Sequence, residues 1–129
     1  MKNDDNQKFR ILIVDDISKN IQVLGNILRN ESYKTGFATS GEQALNNLKR
    51  NEFDLILLDI MMPGMDGFEV AQKVRALPQY NNTRIIFLTA KGTQADRFKG
   101  YSNGAEVYLT KPFDNDEFIS TINEVVEFG

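Results

Sequence analysis

Histidine and cysteine are both absent from the 129 residues. Without cysteine there are no disulfides and no thiol chemistry, a composition suited to a reducing cytosol. Without histidine there is no imidazole base, no histidine metal ligand and no residue to carry a phosphohistidine. Chemistry on this chain must use carboxylates, hydroxyls, lysines and the backbone. No apolar run approaches the ~20 residues of a membrane helix. The opening MKNDDNQK lacks the apolar centre of a signal peptide. No basic stripe exists and the net charge is −3, a poor fit to direct nucleic-acid binding. The expectation is a cytoplasmic protein with neither a membrane nor a nucleic acid as direct partner.

What is present is ordinary for a globular domain: 41% hydrophobic and 26% charged residues, in a length that suits one domain with a real core. Residues 1–8 read as a frayed tail and 9–129 as a single domain, with no linker-like stretch inside it. Five short apolar runs follow: 9–14 (FRILIV), 33–38 (YKTGFA), 54–58 (DLILL), 84–88 (RIIFL) and 106–109 (EVYL). The first, third and fourth are nearly continuous in Ile, Leu, Val and Phe, the pattern of parallel strands covered on both faces. The second and fifth are more polar, as edge strands tend to be.

Helical patterns lie between the runs. Ile17, Ile21, Leu24, Ile27 and Leu28 mark one helix face. Ala44, Leu45 and Leu48 mark a second, and Phe68, Val70, Ala71 and Val74 a third. Phe118, Ile119, Ile122, Val125 and Val126 mark the last. A fourth helix, over 94–102, is the least apolar. Ser40–Gln43, Asp66–Glu69 and Asp114–Glu117 have capping-box spacing, Thr93–Asp96 is a weaker version, and Gly104 suits a helix C-cap. The aromatics Phe53, Phe68, Phe87, Phe98 and Phe118 read as core, and Met61, Met62 and Met65 as loop filler. Five β-α units imply an α/β fold: a parallel sheet with helices on both faces.

In such sheets ligands bind beyond the carboxyl ends of the strands. Asp15 and Asp16 follow the first run, Asp59 the third, Thr89 and Ala90 the fourth, and Thr110, Lys111 and Pro112 the fifth. Asp4-Asp5, the same acidic dipeptide in a polar tail, follows no strand and reads as solvated. Taken singly, Asp59 would be a turn acid and Thr89 a structural hydroxyl. Together, three crowded carboxylates repel one another unless a cation joins them. A hard, oxygen-liganded ion such as Mg²⁺ solves this, with Mn²⁺ as a substitute. Lys111 offsets remaining charge and binds an anion as a point charge, and Thr89 adds a donor. The set suits phosphoryl chemistry, with Asp59 as the nucleophile.

The ordered pieces ILIVDD, LILLDIMMPGMDGFE, IIFLTA and VYLTKPF resemble the receiver domain of two-component response regulators, over nearly the whole chain. The resemblance implies a flavodoxin-like, doubly wound fold with five helices and strand order 2-1-3-4-5. It implies that Asp59 is the phosphoacceptor, that Asp16 binds Mg²⁺ directly and that Asp15 helps through water. The Met61 backbone carbonyl would be the third protein ligand. Lys111 would bind phosphate, with a cis Lys111–Pro112 bond, and Thr89 would turn towards the phosphoryl group. Tyr108 would swing inward with it, although an aromatic there is as readily packing. Ala90 would leave room for the phosphate. Met61 and Lys91 occupy the positions that tune phosphoryl lifetime. An apolar Met61 cannot orient an attacking water, so loss of phosphate should not be especially fast.

The implied donor is a histidine kinase or histidine phosphotransfer protein, or a small acyl phosphate. The implied recipient is a downstream protein or output domain, reached through the face built by helix 4, strand 5 and helix 5. A phosphorylation-dependent homodimer is compatible with this. The chain would be a switch rather than an enzyme acting on other substrates. Three alternatives stand beside it. A receiver-like scaffold would never be phosphorylated. An aspartate-nucleophile phosphatase of the haloacid-dehalogenase type would want a second acid where Met61 stands. A flavodoxin-like cofactor binder would want a phosphate loop where Asp15-Asp16 would repel phosphate.

Overall fold

Continuous apolar runs become central strands because both of their faces can be covered. The structure, a computed structural model, describes residues 9–80, 83–89, 102, 107–111 and 113–128. Its elements are β1 (Arg10–Val14), α1 (Ser18–Asn30), β2 (Lys34–Ala38), α2 (Gly41–Arg50), β3 (Leu55–Asp59), α3 (Gly67–Arg75), a 3₁₀ turn (Pro78–Tyr80), β4 (Arg84–Thr89), β5 (Val107–Thr110) and a C-terminal helix α4 (Asn115–Phe128). All strand pairs are parallel, in the order β2-β1-β3-β4-β5. This is the expected α/β sheet, with four α-helices among the described residues where the sequence predicted five. The predicted tail 1–8, the predicted fourth helix except Ser102, its Thr93–Asp96 cap, Phe98 and Gly104 lie outside the described residues.

Strand alternation divides the core in two. Leu12, Val14, Ile56, Leu58, Ile85, Phe87 and Tyr108 face one side and pack with Ala44 and Leu48 of α2 and Phe68, Ala71 and Val74 of α3. Ile11, Ile13, Leu55, Leu57, Ile86, Leu88 and Leu109 face the other and pack with Leu24 and Leu28 of α1 and Phe118 and Ile122 of α4. Each fully buried large side chain contributes about 1.5–3 kcal/mol of transfer free energy. The N-cap half of each predicted capping box forms: Ser40 accepts from the Gln43 N–H, Asp66 from that of Glu69 and Asp114 from that of Glu117. In the first, Gln43 Oε1 accepts from the Thr39 N–H, one residue before the cap.

Two apolar residues are not where the sequence pattern puts them. Ile17 is the N-cap of α1 in extended conformation, and its side chain is exposed. The chain turns around the Asp15 carboxylate there, so the helix begins one residue later. Met62 is not loop filler but core, packed in the same cluster as Ile60 and Phe68. The Ile60 carbonyl accepts from both the Met62 and the Gly67 N–H, which doubles the loop back and tucks Met62 underneath. Met61, its neighbour, points to solvent.

Two tyrosines pin the helices at the end of the sheet away from the acidic residues. The Tyr80 hydroxyl lies 2.7 Å from the Leu48 carbonyl and 2.6 Å from that of Asn51, and burial pushes its pKa up. The Tyr33 hydroxyl donates to Asn123 Oδ1, linking the start of β2 to α4. Burial, and then the Glu31 carboxylate, push the Tyr33 phenol up to about 12. The folded state thus keeps that proton more tightly than the unfolded chain. Its contribution is fully present below pH 10.0, the usual phenol value, and is lost as pH rises towards about 12. Tyr33→Phe is expected to cost about 1 kcal/mol at neutral pH, through the lost hydrogen bond. The same variant should flatten the fall in stability above pH 10.0, which urea midpoints on either side of that value would measure.

Candidate functional site

Parallel pairing puts the carboxyl ends of β1, β3 and β4 side by side. Val14 pairs with Leu58 and Asp59 with Leu88, so Asp15, Asp59 and Thr89 finish neighbouring strands at one edge. Backbone bonding extends the edge at both sides. The Asp15 N–H donates to the Ala38 carbonyl (3.1 Å) and the Lys111 N–H to that of Thr89 (2.8 Å). The lysine is thereby carried to the end of β4.

The side chains meet there. Carboxylate oxygens of Asp15, Asp16 and Asp59 all lie within 4.8 Å of one another. Asp15 is 2% and Asp59 7% exposed, whereas Asp16 is open to solvent. Lys111 Nζ stands between two of them, 3.7 Å from Asp15 Oδ2 and 3.8 Å from Asp59 Oδ2. These contacts are longer than hydrogen bonds, and the lysine side chain is nearly one-third exposed, so the ion pairs are screened and individually weak. Burial pushes the Asp59 carboxyl above its usual range. The Met61 N–H, which donates to Asp59 Oδ1 at 3.1 Å, and the Lys111 ammonium pull it down, while Asp15 and Asp16 push it up. A bound divalent cation would relieve the causes that raise it. The donor set, three hard carboxylates with room for water on the Asp16 side, fits Mg²⁺.

The predicted site residues are therefore largely together. Thr89 is fully buried at the end of β4. Tyr108 is buried one strand away, its ring 6.1 Å from that of Phe87. Met61 exposes its side chain beside the acids, the position from which only its backbone would serve a metal. Ala90, Lys91 and the Lys111–Pro112 bond lie outside the described residues.

Two features escaped the sequence reading. Asn20 Nδ2 donates to Asp15 Oδ2 at 3.2 Å. The signal was available: Asn20 lies in the first turn of a helix that begins three residues after Asp15. The second is the closeness of Gly67 to the Asp59–Ile60 backbone, where a Cβ would sit 2.5 Å from the Asp59 carbonyl oxygen. The sequence alone, with Gly67 directly after the Asp66 cap, shows only a residue at a helix start.

Comparison with known proteins decides the family. Residues 11–123 match the model of the response regulator receiver domain. The chain belongs to that family. Among curated relatives, Response regulator PleD of Caulobacter vibrioides is 39% identical over 119 residues, covering 92% of this chain and 26% of its own length. Transcriptional regulatory protein YvrH of Bacillus subtilis is 41% identical over 113 residues, covering 87% of this chain and 46% of its own. The chain spans about a quarter to about half of the length of these relatives. Among solved structures, the Vibrio cholerae chemotaxis protein CheY4 superposes with a TM-score of 0.87 at 32% identity, covering 91% of this receiver domain and 98% of that chain. The flavodoxin-like sheet order 2-1-3-4-5 of the receiver fold is thus shared, with four α-helices among the described residues. No helix of the described residues is long and apolar enough to cross a membrane.

Proposed function

We propose that this receiver domain is a phosphorelay switch in which Asp59 accepts a phosphoryl group in a Mg²⁺-dependent reaction. The observation that carries the reading is the meeting of Asp59 with Asp15, Asp16 and Lys111 at the carboxyl edge of the sheet. Asp59 Oδ1 is engaged by the Met61 N–H, so Oδ2, the oxygen facing Lys111, is the attacking atom. Oδ2 bonds to phosphorus, and the bond from phosphorus to the donor breaks. The donor leaves as an imidazole that takes up a proton, or as a carboxylate where the source is an acyl phosphate. Because these 129 residues hold no histidine, the phosphohistidine lies outside them, on a histidine kinase or a phosphotransfer protein. Lys111 would hold the transferred oxygens as a point charge, and Asp16, Asp59 and the Met61 carbonyl would hold the cation directly, with Asp15 acting through water. Mg²⁺, when bound, supplies charge neutralisation at the phosphoryl oxygens.

Phosphorylation adds charge and three acceptor oxygens. Thr89 and Lys111 follow them, with Tyr108 repacking against Phe87, and the face around β5 and α4 changes what it offers to a downstream protein or output domain. Moving a two-state balance from 1:99 to 99:1 takes about 5.5 kcal/mol. Two or three charge-assisted bonds at ~1.5–3 kcal/mol each reach that total. Ala90 would clear space for the phosphate, and Met61 and Lys91 would set its lifetime. The cytoplasm is the proposed location.

Incubation with Mg²⁺ and acetyl phosphate, followed by intact-mass measurement and peptide mapping, tests the reading. The expected result is one phosphoryl group per chain, on Asp59, lost on chelation of Mg²⁺ before the reaction. Continuous turnover of phosphate without an accumulated adduct would favour a phosphatase. No adduct with acetyl phosphate or with the beryllium fluoride mimic would favour a scaffold.

A further inference from the structure

The Asp15 carboxylate is held by more than its charged neighbours. Oδ1 accepts from the Ile17 N–H at 2.9 Å, and Oδ2 accepts from the Asn20 carboxamide at 3.2 Å. Lys111 Nζ reaches the same Oδ2 only at 3.7 Å, too far for a hydrogen bond. So the neutral donor, not the cation, is Asp15's nearer partner at Oδ2. Asn20 is itself fixed, because its backbone N–H donates to the Ile17 carbonyl at 3.0 Å in the first turn of α1. The same turn therefore supplies one donor to each oxygen of Asp15.

From this geometry we infer that Asn20 is a positioning residue for the metal and lysine, acting through Asp15. With both oxygens engaged by its own chain, Asp15 has only spare lone pairs for a cation, which suits contact through water. Asn20 also keeps Oδ2 from closing on Lys111. The lysine is left nearly equidistant from Asp15 and Asp59, at 3.7 and 3.8 Å. Without the carboxamide, Oδ2 would satisfy itself with Lys111. The acid would turn away from the cation, and the ammonium would be drawn from Asp59, both changes that saturating Mg²⁺ would reverse by drawing Asp15 back. Partners that orient metal-binding groups without touching the metal set affinity in this way.

The inference rests on the Mg²⁺-dependent reading above, and its test separates the two. Mg²⁺ binding would be titrated calorimetrically on wild type and Asn20→Ala, with no phosphoryl donor present. Acetyl phosphate labelling would then be followed across Mg²⁺ concentrations. In Asn20→Ala, Mg²⁺ affinity is expected to fall about tenfold. The Mg²⁺ needed for half-maximal labelling should rise by the same factor, with the limiting rate kept at saturation. A merely structural role would not produce that split. Asn20→Ser, whose hydroxyl is too short to reach Asp15, should repeat the result, and it replaces Asn20→Ala if the alanine variant does not fold. Unchanged Mg²⁺ affinity, or a rate loss that saturating Mg²⁺ does not restore, overturns the inference and leaves the metal reading standing. Wild type that binds no Mg²⁺ overturns both.

Discussion

Asp59→Asn is expected to take the acetyl phosphate adduct from stoichiometric to none while keeping the fold. The causes are all local to the site. The carboxamide retains the oxygen that accepts the Met61 N–H, so the loop after β3 keeps its anchor. It is isosteric, so the core beneath it stays packed. What it loses is the nucleophile, and no other acid replaces it. Asp15 has both oxygens engaged by α1, and Asp16 is exposed rather than facing the buried end of β4. Stability should move the other way. The folded Asp59 carboxyl has a pKa above its usual 3.8, mainly through burial. The folded state holds that proton more tightly, so stability falls as pH rises from 3.8 through the raised folded value. Above that window the ionised group is a standing cost that asparagine does not carry. Thermal melts at neutral pH without Mg²⁺ should place Asp59→Asn above wild type. The gap should close in acid, and also when Mg²⁺ is added to wild type. A variant that still takes up phosphate, or one that melts lower at neutral pH, would contradict this account.

The same residues show what a sequence can carry and where it stops. The central strands were legible because continuous apolar runs have few other uses in a chain of this polarity. The candidate site was legible because position after a strand is a topological property, which no distance is needed to read. Asp15, Asp59 and Lys111 converge as their strand ends require. The three N-caps were local in the same sense.

What was not legible depends on contacts through space. Periodicity placed Ile17 on a helix face, but the Asp15 carboxylate draws the Ile17 N–H and delays the helix. Nothing in MMPGM says which methionine turns inward. The fold of the loop on the Ile60 carbonyl decides for Met62. Asn20 looks like any polar residue on a helix until the turn before it is known. Tyr80 sits in a polar stretch and gives no sign that two carbonyls of α2 and its end await it.

Gly67 is where that limit has the largest consequence, and Gly67→Ala is expected to be among the most damaging small substitutions in the chain. A Cβ there would lie 2.5 Å from the Asp59 carbonyl oxygen, 2.7 Å from the Ile60 Cα and 3.0 Å from the Asp59 carbonyl carbon. These are backbone atoms, which cannot rotate aside as a side chain would. Overpacking typically costs ~1–3 kcal/mol, and an obstacle made of backbone puts this case at the upper end. The gain in helix propensity, about 1 kcal/mol for Gly to Ala, offsets only part of it. Gly64 in the same loop provides the contrast. Its φ is +77°, and nothing lies within 4 Å of where its Cβ would be. Gly64→Ala therefore meets only the left-handed penalty of roughly 1–2 kcal/mol. The two variants should separate in Mg²⁺ affinity more sharply than in stability. Relief of the Gly67 clash must displace Asp59 and Ile60, and with them the acid and the loop leading to Met61. Relief at Gly64 moves only the turn. Urea midpoints and Mg²⁺ titrations on the pair check this. Equal Mg²⁺ affinities would mean that the loop absorbs the Gly67 clash without moving Asp59.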